Sequence, residues 1–430
     1  MKHNSKVKEP FLFVYRYKNA IIFGVLFFLL LYLRFYELET RSPFGWDQVN
    51  NAWAAQRIIV NHDFPLLGFQ AKLNSGIYIG PLYYYFISIF YTVTNLDPIA
   101  SGIAAGVTSI FTFLTLFYVT KKLFSINTAL VAVFIYTVGF FGIMFDRSQG
   151  PINFIPATSL LIFYSLYNVL RGKPKYLLLL GLALGFSVHV HISSIYYPII
   201  ILLSLPFFPK SREMIKNAVL SFFVFVIFLI PNIIVFLQNA GNVSAGLGYG
   251  QTYYHGFHLR RVLQLLNDAF IQFESILTFQ ILKFLKFVIP PLFIFVYLFK
   301  SATREKILFC YLVILWYLVP WFVLATYSGE ISDYYFSTNR FIGIVIISYL
   351  LVRLFHFKNW AVRISLLCFL LFYAYFNITK FLSLNEPGLN LHRQTVLKAI
   401  SEGRRIEFGE GVPESYLYYY YMRKEGKKVY

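Results

Sequence analysis

The chain has 430 residues, of which 58% are hydrophobic and only 13% are charged. Soluble proteins carry about 25% charged residues, so this composition excludes a soluble globular protein and indicates a polytopic membrane protein. The net charge of +19 does not indicate nucleic-acid binding, because the Lys and Arg residues fall in short connectors between apolar runs, where they set orientation in the bilayer. We therefore expect membrane lipids, and no nucleic acid, among the partners.

The N-terminal segment predicts how the chain is oriented. Short loops rich in Lys and Arg stay in the cytoplasm, so a basic N-terminus places the apolar run 20–35 as a first span. No small-residue cleavage site follows this run, and we expect the span to be retained. Residues 37–81 then form a long polar loop on the outer face. The basic residues that hold the N-terminus in the cytoplasm are Lys2, Lys6, Lys8, Arg16 and Lys18.

Two apolar stretches come next, but the charges allow only one net crossing. Residues 82–94 are short and rich in Tyr, which favours a helix lying at the membrane interface. Residues 99–119 are long enough to span, and they end at Lys121 and Lys122, which should be cytoplasmic. We expect the second stretch to cross and the first to lie at the interface.

The remaining connectors alternate in charge and predict about eleven spans in all. A second long outer loop covers roughly 238–280, and most acids ahead of the tail fall on the outer face. These features predict an all-α fold with a transmembrane domain over residues 1–380 and a short polar C-terminal tail over 381–430. The tail is placed outside by the count of spans, although its many Lys and Arg residues argue for the cytoplasm.

Asp47 is the most informative acid of the first outer loop. It precedes a stretch, 49–60, whose apolar residues suit a helix on the membrane surface. Asp is a favoured N-cap residue, so a helix cap is the simplest interpretation of this residue taken alone. The alternative is a catalytic carboxylate at the centre of a polar outer-face site.

Several segments together resemble the GT-C glycosyltransferases that use polyprenyl-phosphate sugars, among them the protein O-mannosyltransferases and the lipid A aminoarabinose transferases. In that family the first outer loop carries an acid, usually as Asp-Glu, and here the pair is Asp47-Gln48, so the second carboxylate is missing. The other matching segments are His62-Asp63-Phe64-Pro65, Gly76, Gly80-Pro81, Lys121-Lys122-Leu123-Phe124, the segment from Asp146-Arg147 to Asn153, GLALGFSVH at 181–189, and Asn339-Arg340-Phe341.

The resemblance implies a membrane enzyme that moves a sugar, with inversion, from a polyprenyl monophosphate to a lipid, glycan or protein acceptor. The predicted topology places this transfer on the outer face, and the abundance of Ile, Lys, Phe, Tyr and Asn indicates a prokaryotic plasma membrane. Asp47 would be the base that takes the proton of the acceptor, because transfer requires one. Arg340, and secondarily Arg147, would bind the phosphate, which a guanidinium holds in a fixed fork. Asp146 would be a second site acid, or else part of a turn or ion pair at a helix end.

His258 and Arg260 in the second outer loop are further candidates. They would meet the lipid phosphate or lipid headgroups, or else lie on a solvated face. His189 and His191 point to different faces of a helix, so the sequence predicts no metal site there. A divalent cation at the phosphate is left open as a cofactor.

Two other functions remain open at the level of sequence. An O-antigen polymerase or ligase also has many spans and a large outer loop, but such a protein would be expected to place its main acceptor loop late in the chain. A transporter or flippase would place ionisable residues at mid-membrane and often shows inverted repeats. Here the acids gather at the outer ends of spans and no repeat is visible.

Overall fold

The computed structural model describes residues 8–72, 75–254, 256–271, 273, 284–384 and 388–429. These residues fold almost entirely into helices, with no strand among them beyond two isolated bridges, which confirms the predicted all-α fold class. Residues 255, 272 and 274–280 of the predicted second outer loop lie outside the described part.

The first half of the chain forms eleven helices, counted over the described residues. Their bounds are α1 (Lys8–Phe35), α2 (Leu38–Arg41), α3 (Trp46–Gln56), α4 (Leu82–Val93), α5 (Ile99–Leu123), α6 (Ile126–Val138), α7 (Phe140–Arg147), α8 (Ile155–Leu170), α9 (Tyr176–Val188), α10 (Tyr196–Ser204) and α11 (Arg212–Gln238). The second half continues with α12 (Ala240–Tyr253), α13 (Leu259–Ala269), α14 (Leu285–Leu298), α15 (Arg304–Ala325), α16 (Arg340–Phe355), α17 (Trp360–Ser383), α18 (Leu389–Ser401) and α19 (Pro413–Lys424).

Seven of the described helices are long and apolar enough to cross a membrane, and the pair α6 and α7, bent by 66°, adds an eighth if it is one span. Four shorter apolar segments accompany them, at Leu82–Val93, Tyr176–Val188, Ile192–Phe207 and Leu285–Leu298. The count of about eleven spans therefore stays a prediction. Helix α4 has 12 residues and rises only about 18 Å, which is too short for a hydrocarbon core of about 30 Å.

The helices differ widely in how far they are buried. The apolar window of Pro151–Leu170, which contains α8, is 89% buried inside the protein, whereas the corresponding windows of α11 and α17 are 6% and 11% buried. Helix α8 therefore lies at the centre of the bundle and packs its Phe163 against Trp316 of α15, with ring centroids 5.0 Å apart. The apolar exteriors of α11 and α17 suit contact with lipid tails.

The two ends of the bundle are held by different polar contacts. At one end Arg171 pairs with Glu305 at 2.9 Å, close to the basic connectors predicted to be cytoplasmic. At the other end Arg41 of α2 donates to the carbonyls of Phe381 and Leu382 at 2.8 and 2.9 Å, which joins α2 to the end of α17. We call this second end, which carries α2, α3 and α4, the loop end.

The C-terminal tail is folded onto the loop end as a pair of helices, α18 and α19, which the sequence had only indicated as a polar segment. Its first helix is attached to α2 by a hydrogen bond from Leu389 N to Ser42 O at 3.1 Å. The second helix packs the fully buried ring of Tyr416 against Trp53 of α3, 5.0 Å between centroids. The tail therefore lies on the same end as the first loop, because its aromatic residues bury against α3.

Candidate active site at the loop end

Asp47 lies in the first turn of α3, but it does not cap the helix. The N-cap is Gly45, whose backbone N–H donates to Oε1 of Gln48 at 3.0 Å. The helix begins at Trp46, three residues before the predicted stretch 49–60, and ends at Gln56 before a π-helical turn, Arg57–Asn61. The cap interpretation of Asp47 is therefore wrong, because a glycine and the side chain at the third helical position supply the cap instead.

Asp47 is exposed to solvent, yet protein atoms surround part of its carboxylate. This partial burial raises its pKa above the ordinary value of 3.8. Within the described part of the chain, no hydrogen bond or ion pair engages this carboxylate. It also lies within electrostatic reach of the phenols of Tyr83 and Tyr84 on α4. A carboxylate with a raised pKa and an open approach suits a general base.

A buried polar network joins α3 to the segment that follows α7. Gln48 Nε2 donates to the carbonyl of Gln149 at 2.7 Å, and the amide of Gln149 in turn donates to the hydroxyl of Tyr83. Ser101 at the start of α5 donates to Oε1 of Gln149 at 3.4 Å. Sequence analysis included Gln149 in a matching segment but assigned it no role, whereas the structure shows that it connects α3, α4 and α5.

Asp146 is held in an ion pair with Arg34 near the end of α1. The Nη2 to Oδ2 distance is 2.8 Å, and both side chains are almost completely buried. Arg34 also donates to the carbonyls of Thr137 and Tyr136 at 2.7 and 2.9 Å, at the bend between α6 and α7. Asp146 therefore neutralises a buried guanidinium that fixes the end of the first span. Sequence analysis did not single out Arg34, although an ionisable residue near the end of an apolar run indicates a structural or functional role.

Arg147 is directed at the backbone of α1. Its Nη1 donates to the carbonyls of Arg34 and Leu33 at 2.9 and 3.3 Å, and its guanidinium lies 5.3 Å from the ring centroid of Phe381. These carbonyls are at the C-terminal end of α1, where they have no partners within the helix. The described contacts of Arg147 are thus those of a helix-end anchor.

Arg340 is the first residue of α16, directly after the N-cap Asn339. Its guanidinium lies 4.1 Å from the centroid of the Phe145 ring, so it stacks on the residue beside Asp146, and it is within electrostatic reach of that carboxylate. Arg340 and Asp146 are therefore brought together. The same segment is joined to α3, the helix that carries Asp47, through the bond from Gln48 to Gln149.

His258 and Arg260 lie on another part of the loop end. Both are exposed, at and just after the N-cap of α13, and α13 packs on α15 and on the short helix Asp333–Asn339. It is the neighbouring Arg261 that contacts the protein, donating to Gly329 O at 2.9 Å. The side chains of His258 and Arg260 are thus available to lipid headgroups.

His189 is a structural residue whose two ring nitrogens face backbone groups. Nε2 is 2.9 Å from the Phe228 carbonyl, and Nδ1 accepts from Leu82 N at 3.4 Å. A Cβ at Gly80 would overlap the imidazole, which explains why glycine precedes Pro81. His191 Nδ1 accepts from Ser193 N at 3.1 Å. Across the described residues, no three His, Cys, Asp or Glu side chains gather as metal ligands.

An apolar groove of about 480 Å³ runs between α4, α5, α8, α9 and α11. It is lined almost entirely by apolar side chains such as Phe86, Phe154 and Phe186, with few polar groups. Tyr83 and His189 also contribute to its wall. Tyr83 thus forms part of the groove wall and also lies within electrostatic reach of Asp47 on α3.

The chain has the GT-C fold, which confirms the predicted resemblance. Residues 79–236 match the family model described as Dolichyl-phosphate-mannose-protein mannosyltransferase. Every residue that lines the groove falls inside this matched segment. Asp47 and Arg340 lie outside it. No curated protein matches the chain by sequence.

Solved structures with the same fold share little sequence with this chain. ArnT from Cupriavidus metallidurans bound to undecaprenyl phosphate aligns with a TM-score of 0.60 and 11% identity, over 94% of this chain and 74% of that chain. The apo oligosaccharyltransferase of Archaeoglobus fulgidus gives a TM-score of 0.58 and 12% identity, over 93% of this chain and 60% of that chain. The archaeal oligosaccharyltransferase AglB from Archaeoglobus fulgidus, in complex with an inhibitory peptide and a dolichol-phosphate, gives 0.57 and 12%, over 94% and 60%.

Proposed function

We propose that this protein transfers a sugar from a polyprenyl monophosphate to an acceptor hydroxyl at the loop end, on the outer face of a prokaryotic plasma membrane. The observation that carries the proposal is the apolar groove, which lies wholly in the family-matched segment and includes in its wall Tyr83, a residue within electrostatic reach of Asp47. The acceptor would be a lipid, a glycan or a protein.

The groove fits the tail of a polyprenyl carrier. Its walls are almost wholly apolar, and burying such a chain gains about 25 cal/mol for each Å² removed from water. The GT-C structures bound to undecaprenyl phosphate and to dolichol-phosphate support a carrier of this kind. The carrier phosphate would then lie at the loop end, beside the polar groups of α3 and of the segment after α7.

The chemistry is a single displacement at the anomeric carbon. Asp47 takes the proton of the acceptor hydroxyl, and the oxygen attacks the anomeric carbon from the face opposite the phosphate. The bond from that carbon to the phosphate oxygen breaks, and the electron pair leaves on the polyprenyl monophosphate. Arg340 stabilises the charge of the departing phosphate. The configuration at the anomeric carbon is thereby inverted.

The other candidate residues have supporting roles in this proposal. Asp146 and Arg147 position the segment next to Arg340, since both are engaged with the end of α1. A direct contact of Arg147 with the phosphate would require it to release those carbonyls. His258 and Arg260 contact lipid headgroups beside α13.

The test is transfer of a labelled sugar from polyprenyl-phosphate sugars by the purified protein in liposomes. We expect label to become covalently attached to an acceptor, with release of polyprenyl monophosphate. Movement of intact labelled lipid between leaflets without any product would instead indicate a flippase and would contradict the proposal.

A further inference from the structure

Gln48 occupies a position where only a side chain that both donates and accepts can satisfy its surroundings. Its Oε1 accepts from Gly45 N at 3.0 Å, and its Nε2 donates to Gln149 O at 2.7 Å. The residue is only 5% exposed, so it cannot contact a substrate. Both of its partners are backbone groups and therefore cannot change their donor or acceptor character.

We propose that Gln48 is the positioning residue of the active site, whose amide locks the first turn of α3 against the segment after α7 and thereby fixes the carboxylate of Asp47. This inference rests on the proposed function for its catalytic readout. The side chain of Gln149 in turn bonds to Tyr83 on α4 and to Ser101 on α5. The amide of Gln48 therefore also helps to fix the position of α3 relative to α4 and α5.

A carboxylate cannot replace this amide. The ionised side chain of Gln48→Glu would accept from Gly45 N but would face the Gln149 carbonyl with a second acceptor, beside the charge of Asp47. The protonated acid, in contrast, has one O–H donor and one carbonyl acceptor and reproduces both bonds. The variant should therefore regain its function as the pH falls, because burial next to a like charge raises the pKa of a carboxyl.

Other titratable groups on the surrounding elements do not produce this dependence. They are Asp47 on α3, Tyr83 and Tyr91 on α4, Asp146 and Arg147 before Gln149, and Tyr416 on α19. Burial raises the pKa values of the three phenols above their ordinary value, and Asp146 is paired with Arg34. Asp47 titrates in both proteins, and once the introduced carboxyl is protonated it adds no charge beside Asp47, so the pKa of Asp47 is then that of wild type.

The experiment compares Gln48→Glu and Gln48→Met with wild type in the labelled-sugar assay, from mildly alkaline to mildly acidic pH. We expect kcat of Gln48→Glu to fall about tenfold or more at alkaline pH, as for a buried polar group that loses its partner. Its KM for the donor should stay unchanged, and its rate relative to wild type should rise as the pH falls. The side chain introduced by Gln48→Met has no donor, only a weakly accepting sulfur and no titratable group, so the relative rate of this variant should be low at every pH.

Gln56→Glu is the matched control, because Gln56 is a buried glutamine on the same helix whose amide faces Asn61 within the loop rather than another element. It should transfer sugar at nearly the wild-type rate. The inference is overturned if Gln48→Glu equals wild type at alkaline pH, if its relative rate does not change with pH, or if Gln48→Met is fully active.

Failure of the proposed function can be distinguished from failure of this inference. If wild type transfers no sugar, the thermal unfolding of the purified proteins decides the role of Gln48. The unfolding temperature of Gln48→Glu should approach that of wild type as the pH falls, since a carboxyl with a raised pKa is stabilising below that pKa and loses the stabilisation as pH rises. A difference that stays constant with pH contradicts the lock.

Discussion

Asp47 and Asp146 lie at the same end of the bundle but in opposite environments. Asp146 is buried and bonded to Arg34 within 3 Å, so its charge is already used in holding α1 to the bend between α6 and α7. Asp47 is open on one side, is crowded by protein on the other and has a raised pKa. Asp146 is therefore engaged in holding helices together, whereas the carboxylate of Asp47 stays open to solvent.

The largest expected effect comes from breaking the buried pair. Arg34→Met would leave Asp146 as an uncompensated buried charge, which costs about 3–5 kcal/mol in the free energy of unfolding. The measurement is thermal unfolding in detergent. The double variant Arg34→Met with Asp146→Leu should recover much of the loss, because no charge is left unpaired.

The half-exposed pair of Arg171 and Glu305 is the control for that comparison. Glu305→Gln should change the unfolding free energy by less than about 1 kcal/mol, since solvent screens exposed pairs. Equal losses from Arg34→Met and Glu305→Gln would show that Asp146 is not a structural anchor.

A second prediction concerns the C-terminal tail, whose turn at 409–412 lies against Trp46, the residue before Asp47. Gly411 has a φ of +74°, and a Cβ there would overlap the indole of Trp46. Gly411→Ala should lose about 1–2 kcal/mol from its left-handed backbone and about 1–3 kcal/mol more from overpacking. Transfer should fall as well, because α3 must shift.

Gly403 provides a matched control on the same tail. Its φ is +68°, and no atom lies within 4 Å of the position that a Cβ would take. Gly403→Ala should therefore show the backbone cost alone and keep its transfer rate. If both variants lose activity equally, the turn does not act through Trp46.

The smallest expected effect is the pH dependence of the transfer rate, which should follow the ionisation of Asp47. The transfer rate of wild type should rise with pH through the pKa of Asp47, which lies above 3.8, because only the ionised form can take a proton. A rate that falls as pH rises through this acidic range would rule out a carboxylate base. The profile of kcat against pH is the measurement.

Much of the loop end could be predicted from the sequence, because composition and charge alone place polar segments at span ends. The all-α fold and the resemblance to GT-C enzymes were confirmed, and Asp146 and Arg340 were brought together. The pair between Asp146 and Arg34 could not be predicted, since its partners are 112 positions apart. The same holds for the contact of Gln48 with Gln149, because hydrophobic periodicity indicates which face of a helix is buried but not what it faces.

The C-terminal tail is a second region whose long-range contacts could not be predicted from the sequence. Its sequence is polar and rich in Tyr, which fits an interfacial segment as well as a packed helix. Only the aromatic surface that α3 offers, around Trp53 and Phe44, makes α19 a buried helix. That surface is formed by residues more than three hundred positions earlier, so local pattern carries no information on it.

The most direct test of the account is the transfer rate of Asp47→Asn compared with wild type and with Asp63→Asn, a substitution of another exposed acid in the same loop. We expect Asp47→Asn to reduce kcat by about 10²–10⁴-fold, as for the loss of a general base, while its unfolding temperature stays close to that of wild type. Asp63→Asn should keep the wild-type rate. A folded Asp47→Asn protein that transfers sugar at the wild-type rate would contradict the central claim.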